Sequence, residues 1–464
     1  MANRLVKKTA LYFVGNAASK VMQACFIPIY AFSVAAVSLG EFDYVQTIAG
    51  VVAPAAFLAI WEAVLRFCLN SDEDERPNAI SSVVAFSISV FILLFVLSVL
   101  ASVFLEEPIA RTARSILIIA ATQGIAQIWQ YLSRSEGKSE LYVKSGVIGA
   151  AIYLLTTVLL LVCMRAEYIG LVASYVVSQF AIFLYLEMNF KFIKRAISNK
   201  IDFALLMRYI RYSAPLILNL ASMLIMTGFG RVLVTNVLGS EQNGYYVFAM
   251  KFASIVTAVG GVVSMASIEE TILRIGSKKL GQYYSTIISN LWTLLLSISS
   301  VAMPAILIFY CFLSRTEYAQ SFVLVPIFMA YAVFNIMSTN YGNAYQASLR
   351  MPEIAMTSVI GMAVTVVVSF ISVDKFGVVG VASGLCMGMA STMLIRCLAS
   401  KRMIDYGVPV RKIIAEASLY AVVSTISILM NGNFFMLVLV EVGVGTIFLP
   451  KMVDALKNLK EIPD

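Results

Sequence analysis

Three observations predict an all-α integral membrane protein. The chain is 60% hydrophobic and only 13% charged, with a mean hydropathy of +0.88 over 464 residues, where a soluble domain carries about 25% charged residues. About fourteen apolar segments reach the roughly twenty residues that cross a bilayer. The loops between them alternate sharply in basic charge. No polar stretch is long enough for a soluble domain, and there is no low-complexity tract.

The segments fall near 10–37, 44–69, 79–105, 112–132, 142–163, 168–189, 213–238, 245–267, 284–312, 321–347, 355–373, 378–399, 413–430 and 433–450. The N-terminal MANRLVKKTA resembles a signal-peptide n-region, but the apolar run behind it is too long for an h-region and reads as an uncleaved first span. Alternate loops collect the cations: Arg4, Lys7, Lys8, Arg134, Lys138, Lys191, Lys194, Arg195, Lys200, Arg208, Arg211, Lys278, Lys279 and a further set from Arg350 to Lys460. The opposite loops hold Arg111, Arg165, Arg315 and Lys375. The positive-inside rule then puts both termini in the cytoplasm.

The longest loop, Phe190 to Tyr212, is basic and partly amphipathic. It divides the chain into a six-helix lobe over 1–190, a linker over 191–212, a second six-helix lobe over 213–400, and an additional helix pair with a tail over 401–464. Weak internal similarity supports two halves of the same orientation. Ser38-Leu39-Gly40 through Tyr44 echoes Val237-Leu238-Gly239 through Tyr245, and Gly170 through Ser174 echoes Gly380 through Ser383. Parallel repeats suit alternating access around a site near the midplane.

Ionisable groups inside apolar runs are the first candidates for that site, because a charge at the centre of a span costs about 2.5–3.5 kcal/mol and is retained for a reason. Lys20 in span one, Arg231 in span seven and Lys251 in span eight are such groups, with Glu62 and Arg66 one turn apart on span two. Each also has a plainer reading: an interhelical salt bridge for Arg231 and Lys251, and snorkelling or pairing with Glu62 for Arg66. Spans four and ten add amide stripes at helical spacing. Gln123, Gln127 and Gln130 run beside Trp129 and Tyr131; Asn335, Thr339, Asn343 and Gln346 run beside Tyr341 and Tyr345. Amides and rings suit sugar hydroxyls and pyranose faces, and equally suit interhelical hydrogen bonds.

Composition also narrows the chemistry. Histidine is absent, which removes the commonest general base and metal ligand. The six cysteines are scattered with no paired motif and read as small buried hydrophobes. No cofactor motif, metal site or enzyme activity is expected, and the net charge of +8 is explained by topology rather than by nucleic acid.

With these residues in hand the chain resembles the Wzx-type flippases, the polysaccharide transport branch of the multidrug/oligosaccharidyl-lipid/polysaccharide exporter superfamily. The likeness is sharpest at Tyr212-Ser-Ala-Pro215, Arg231, Leu238-Gly239 and Gly244-Tyr245. Members often carry an acid immediately before the arginine; here that place is Gly230. The resemblance implies transfer of an undecaprenyl-pyrophosphate-type lipid-linked oligosaccharide across the bacterial cytoplasmic membrane for capsule, O-antigen or other surface polymers. It also implies a coupling ion, Na+ or H+, for which Glu62, Glu270 and Glu416 are the candidate carboxylates, and contact with membrane lipids and polysaccharide assembly proteins. Two alternatives stand beside it: a cation-coupled multidrug exporter of the same superfamily, and a membrane glycosyltransferase, ligase or polymerase of the same pathway.

Overall fold

A computed structural model describes residues 25–68, 75–274, 277, 280–348 and 350–460. Among these residues there is no strand; the chain is a succession of helices and short turns. They form two compact units, one up to Thr235 and one from Asn236 onward.

The first unit begins with α1, helical over 25–33, so Lys20 lies outside the described residues. Ala35 is extended, with ψ at 145°, and α2 (Ala36–Ala56) starts immediately after it. The polar run Ser38 to Asp43, which reads as an interhelical loop, is therefore the opening of a helix. The chain then breaks at Phe57–Ala59, where Leu58 and Ala59 take positive φ of 51° and 46°. Beyond the break α3 (Ile60–Cys68) runs off at 53° to α2. Pro54 precedes the break and leaves its carbonyl to Ala59 N at 2.8 Å.

α4 (Glu75–Phe104), α5 (Glu107–Ser135), α6 (Ser139–Thr157, continued by a π-helical stretch Val158–Cys163) and α7 (Glu167–Phe190) follow. α5 is the hub, packed on α2, α3, α4, α6 and α7. Its position explains its composition: enclosed by protein on several sides, it tolerates Thr122, Gln123, Gln127 and Gln130, and Ala120, Ala121 and Ala126 let neighbours approach closely. α4 shows the opposite economy, exposing Ile92, Leu93, Phe95, Val96 and Val99 on a face that only lipid suits. Lys191 turns left-handed (φ 54°) into the short α8 (Phe192–Ser198), and α9 (Phe203–Leu238) crosses from this unit into the next.

The second unit contains α10 (Ser240–Leu273), α11 (Leu280–Phe312), a 3-10 turn (Glu317–Leu324), α12 (Val325–Ala347), α13 (Met351–Ser400), α14 (Val410–Leu429) and α15 (Phe434–Lys460). α13 is two spans joined at Gly377, whose φ of 55° and ψ of −136° make the turn. Its arms touch along their length: a side chain at Gly388 would run into Gly361 and Thr365 of the other arm. Gly380, Gly384 and Gly388, each four residues apart, give the small-residue face that permits so close an approach. α11 packs on α14 and α15, and α12 on α10 and α13.

Nine described helices are long and apolar enough to cross a membrane, or ten if α2 and α3 count as one broken span. α5 is not among them because of its polar face. The protein is a multi-pass membrane protein. Each expected segment from 44–69 onward overlaps a described helix: 112–132 lies on α5 and 213–238 on α9, both outside the nine, and 355–373 and 378–399 form the two arms of α13. Of the six cysteines, Cys25 and Cys163 are exposed rather than buried, and only Cys68 is fully enclosed.

Candidate functional site

In the first unit a cavity of about 200 Å³ is lined by Gln46, Thr47 and Gly50 of α2, Gln123 of α5, Tyr175 of α7, and Thr227, Gly228 and Arg231 of α9. Helical spacing assembles it. Arg231 lies one turn beyond the adjacent pair Thr227 and Gly228, and Gly50 one turn beyond Gln46 and Thr47, so each set falls on one side of its helix. Gly228 is required by the close approach of the helices, since a Cβ there would meet the Thr47 methyl at 2.6 Å.

Arg231 is the charged wall of this cavity. Its Nη1 lies 3.3 Å from Asp43 Oδ1 and donates to Thr47 Oγ1 at 3.5 Å. The Asp43 side chain is nearly buried, at 8% exposure, while 27% of the arginine side chain remains accessible. Asp43 Oδ2 has no hydrogen-bond partner among the described residues. The counter-charge missing beside Arg231 in sequence is thus supplied from α2. Tyr175 Oη donates to Gln123 Oε1 at 3.2 Å and extends the polar lining. Behind it Tyr153 meets Tyr175 edge-on at 5.9 Å, Phe26 lies 4.7 Å from Tyr153, and Phe42 reaches Tyr175 at 6.3 Å. Cation, amides, hydroxyls and aromatic rings are therefore gathered in one place.

The remaining candidates lie elsewhere. Gln127 is half-buried, and Gln130 donates to Ser145 Oγ at 3.3 Å. Trp129 is fully buried and donates from Nε1 to Glu187 Oε2 at 2.9 Å, which makes it a packing and cornering residue. Arg66 is exposed and Glu62 half-buried. In the second unit Lys251 and Asn335 are half-buried, and Asn343 is buried with Nδ2 unpartnered among the described residues. Nothing is described of the Gln346 side chain. Glu270 pairs with Arg274 at 3.0 Å. Glu416 is buried on α14 with Thr293 Oγ1 at 3.0 and 3.1 Å from its two oxygens.

Three residues that sequence reasoning missed carry much of the polar structure. Asp43 was hidden in an apparent loop. Asn340, off the expected stripe, donates to Ser264 Oγ at 2.6 Å and ties α12 to α10. Arg396, a cation inside an apolar run and so detectable by the same signal as Arg231, donates to Thr357 Oγ1 (3.0 Å), Ser338 O and Oγ (3.2 and 3.1 Å), Ile354 O (3.3 Å) and Ser358 Oγ (2.8 Å).

The fold is shared with membrane transporters. A lipid II flippase, MurJ, in an inward closed conformation aligns with a TM-score of 0.62 at 14% identity, covering 97% of this chain and 99% of that one. An inward-facing multidrug resistance MATE family transporter of the MOP superfamily aligns with a TM-score of 0.66 at 16% identity, covering 86% of this chain and 96% of that one. No curated protein sequence matches. The polysaccharide biosynthesis protein family matches residues 5–268, more than half the chain, and the protein belongs to that family.

Proposed function

We propose that the protein is a flippase carrying a polyprenyl-pyrophosphate-linked oligosaccharide across the bacterial cytoplasmic membrane, without catalysis, by alternating access of two lobes. The observation that supports this reading best is Arg231 on the wall of a cavity that also offers Gln46, Thr47, Gln123 and Thr227. A guanidinium can hold a pyrophosphate through two parallel hydrogen bonds. The amides and hydroxyls beside it match sugar hydroxyls. Asp43 holds the guanidinium in place when no ligand is bound, and the incoming anion competes with it. Lys251, Lys20 and Arg66 are further candidate cations for the lipid-linked anion, and Gln127, Asn335, Asn343 and Gln346 are further candidate amides for the glycan. Glu62, Glu270 and Glu416 remain the candidates for coupling to Na+ or H+, and basic loops keep both termini cytoplasmic. The glycan is destined for capsule, O-antigen or a related polymer.

The test uses a strain that depends on this protein for its surface polymer, and reads protein abundance, polymer and undecaprenyl-linked intermediates on the same cells. Arg231→Ala alone leaves Asp43 without its salt bridge, so abundance falls. Adding Asp43→Asn removes that charge and should restore abundance while polymer stays absent and intermediates accumulate. Arg231→Lys should recover part of the export, because the charge returns without the fork. Normal polymer from the abundant double variant overturns the anion site. Buried Asp43 also favours a second reading, a cation-coupled multidrug exporter; loss of cationic-dye efflux with unchanged polymer would establish that instead.

A further inference from the structure

α8 is a docked helix with a basic outer side. Phe192 is fully buried, stacked on Phe190 at 4.9 Å and edge-on to Trp129 at 6.2 Å. Glu187, which accepts from Trp129, also accepts from Ile193 N at 3.0 Å and so holds the corner between α7 and α8. With Phe192 fixed inward, Lys191, Lys194 and Arg195 are left exposed. They line a groove of about 430 Å³ together with Asn189, Ser198 and Asn199. A second cavity of about 340 Å³ adjoins it through Arg195 and Asn199 and adds Arg76. The acid there is Glu136, 3.7 Å from both Arg76 Nε and Arg195 Nη1. The groove therefore keeps a cationic excess.

What runs up to the groove decides the ligand class. On α7, Val177, Phe180, Leu184 and Met188 are 44%, 49%, 45% and 69% exposed. Their spacing puts them in one stripe along a membrane-spanning helix, which ends where the basic groove begins at Asn189. Ile197 and Phe203, 81% and 77% exposed, continue the apolar surface past it. A soluble acidic peptide would meet apolar surface on both sides. A molecule with an anionic phosphate on an acyl chain matches stripe and groove together.

We propose that this groove binds the phosphate headgroup of an anionic phospholipid, with one acyl chain lying along the α7 stripe. The site is separate from the Arg231 cavity and does not depend on what that cavity carries. Basic residues near a membrane surface attract anionic lipid individually, so the loss should scale with the number neutralised.

Native mass spectrometry of the full-length protein in detergent, titrated with dioleoylphosphatidylglycerol, tests this. Lys191→Asn with Lys194→Gln removes two of the three cations lining the groove and keeps a residue suited to left-handed φ at 191. The expected loss of affinity is about fivefold per lysine, or about 30-fold for the pair. Lys401→Gln with Arg402→Gln, a basic pair in the other unit, should leave retention unchanged. Equal retention of dioleoylphosphatidylcholine, or equal loss in the 401/402 pair, overturns the proposal in favour of unspecific adhesion. Displacement by glycerol 3-phosphate at the same concentration overturns it in favour of a soluble phosphate. Displacement by a lower concentration of undecaprenyl pyrophosphate makes the groove a loading point for that lipid instead.

Discussion

Arg231 and Arg396 both sit within apolar helices of this protein, and their surroundings differ in kind. Arg396 in the second unit reaches five neutral oxygens, joining α12 to both arms of α13. Arg231 in the first unit pairs with a carboxylate and a hydroxyl at the edge of a cavity. These acceptors, three hydroxyls and two backbone carbonyls, carry no charge for an incoming anion to replace, so the first arrangement works as a clamp. A charge pair beside open space can be exchanged for another anion. The difference separates a structural cation from a candidate ligand group more sharply than burial does.

Breaking the clamp should have the largest effect. Arg396→Leu removes all five bonds and takes their donor from the buried Ser338 and Thr357 hydroxyls. The expected cost is at least about 4 kcal/mol, in the exceptional range for a single change. It would be seen as near-complete loss of monodisperse protein on detergent extraction. Normal abundance with lost export would reverse the comparison and make Arg396 a ligand group.

Arg231→Ala comes next. Stranding Asp43 costs about 3–5 kcal/mol when a buried pair is broken, and the partial exposure of Arg231 places the expectation at the low end. Thermal melting in detergent should show the drop, with recovery in the double variant carrying Asp43→Asn. A melt unchanged from wild type would mean that the pair contributes nothing to the folded state.

Gly388→Val sharpens the clamp side of the comparison. The added methyl groups press on the facing arm of α13 and should cost about 1–3 kcal/mol through overpacking. Because the hairpin carries Arg396, the two substitutions should be non-additive in melting temperature. Strict additivity would separate the glycine face from the clamp.

Gln123→Leu should do least to stability. It removes the acceptor of one hydrogen bond from Tyr175, worth about 0.5–1.5 kcal/mol. Export should fall while abundance stays near normal. Unchanged export would remove the amide from the proposed sugar path.

Legibility in the sequence followed the range of the interaction. Arg231 stands out from a single apolar run, and its chemistry needs no neighbour to be noticed. Its partner does not: Asp43 lies in a polar run that reads as a loop. It becomes a membrane group only because the extended Ala35 lets α2 begin at Ala36. The glutamine stripe of α5 was visible by periodicity, but periodicity does not say which member meets what. Gln123 faces the cavity, Gln130 bonds to α6, and the neighbouring Trp129 is spent on the α7–α8 corner.

The sequence by itself determined the class of protein, the places of most of its long apolar helices and the suspicion attached to Arg231. Each rests on a transfer free energy summed over consecutive residues, and that sum needs no fold. Only the tertiary structure decided which polar groups are consumed by one another and which line space. Those outcomes depend on contacts between distant helices, such as Asp43 with Arg231 and Thr357 with Arg396. Hydrophobicity is nearly additive along the chain, whereas hydrogen bonds and ion pairs depend on angstrom-scale geometry between its parts.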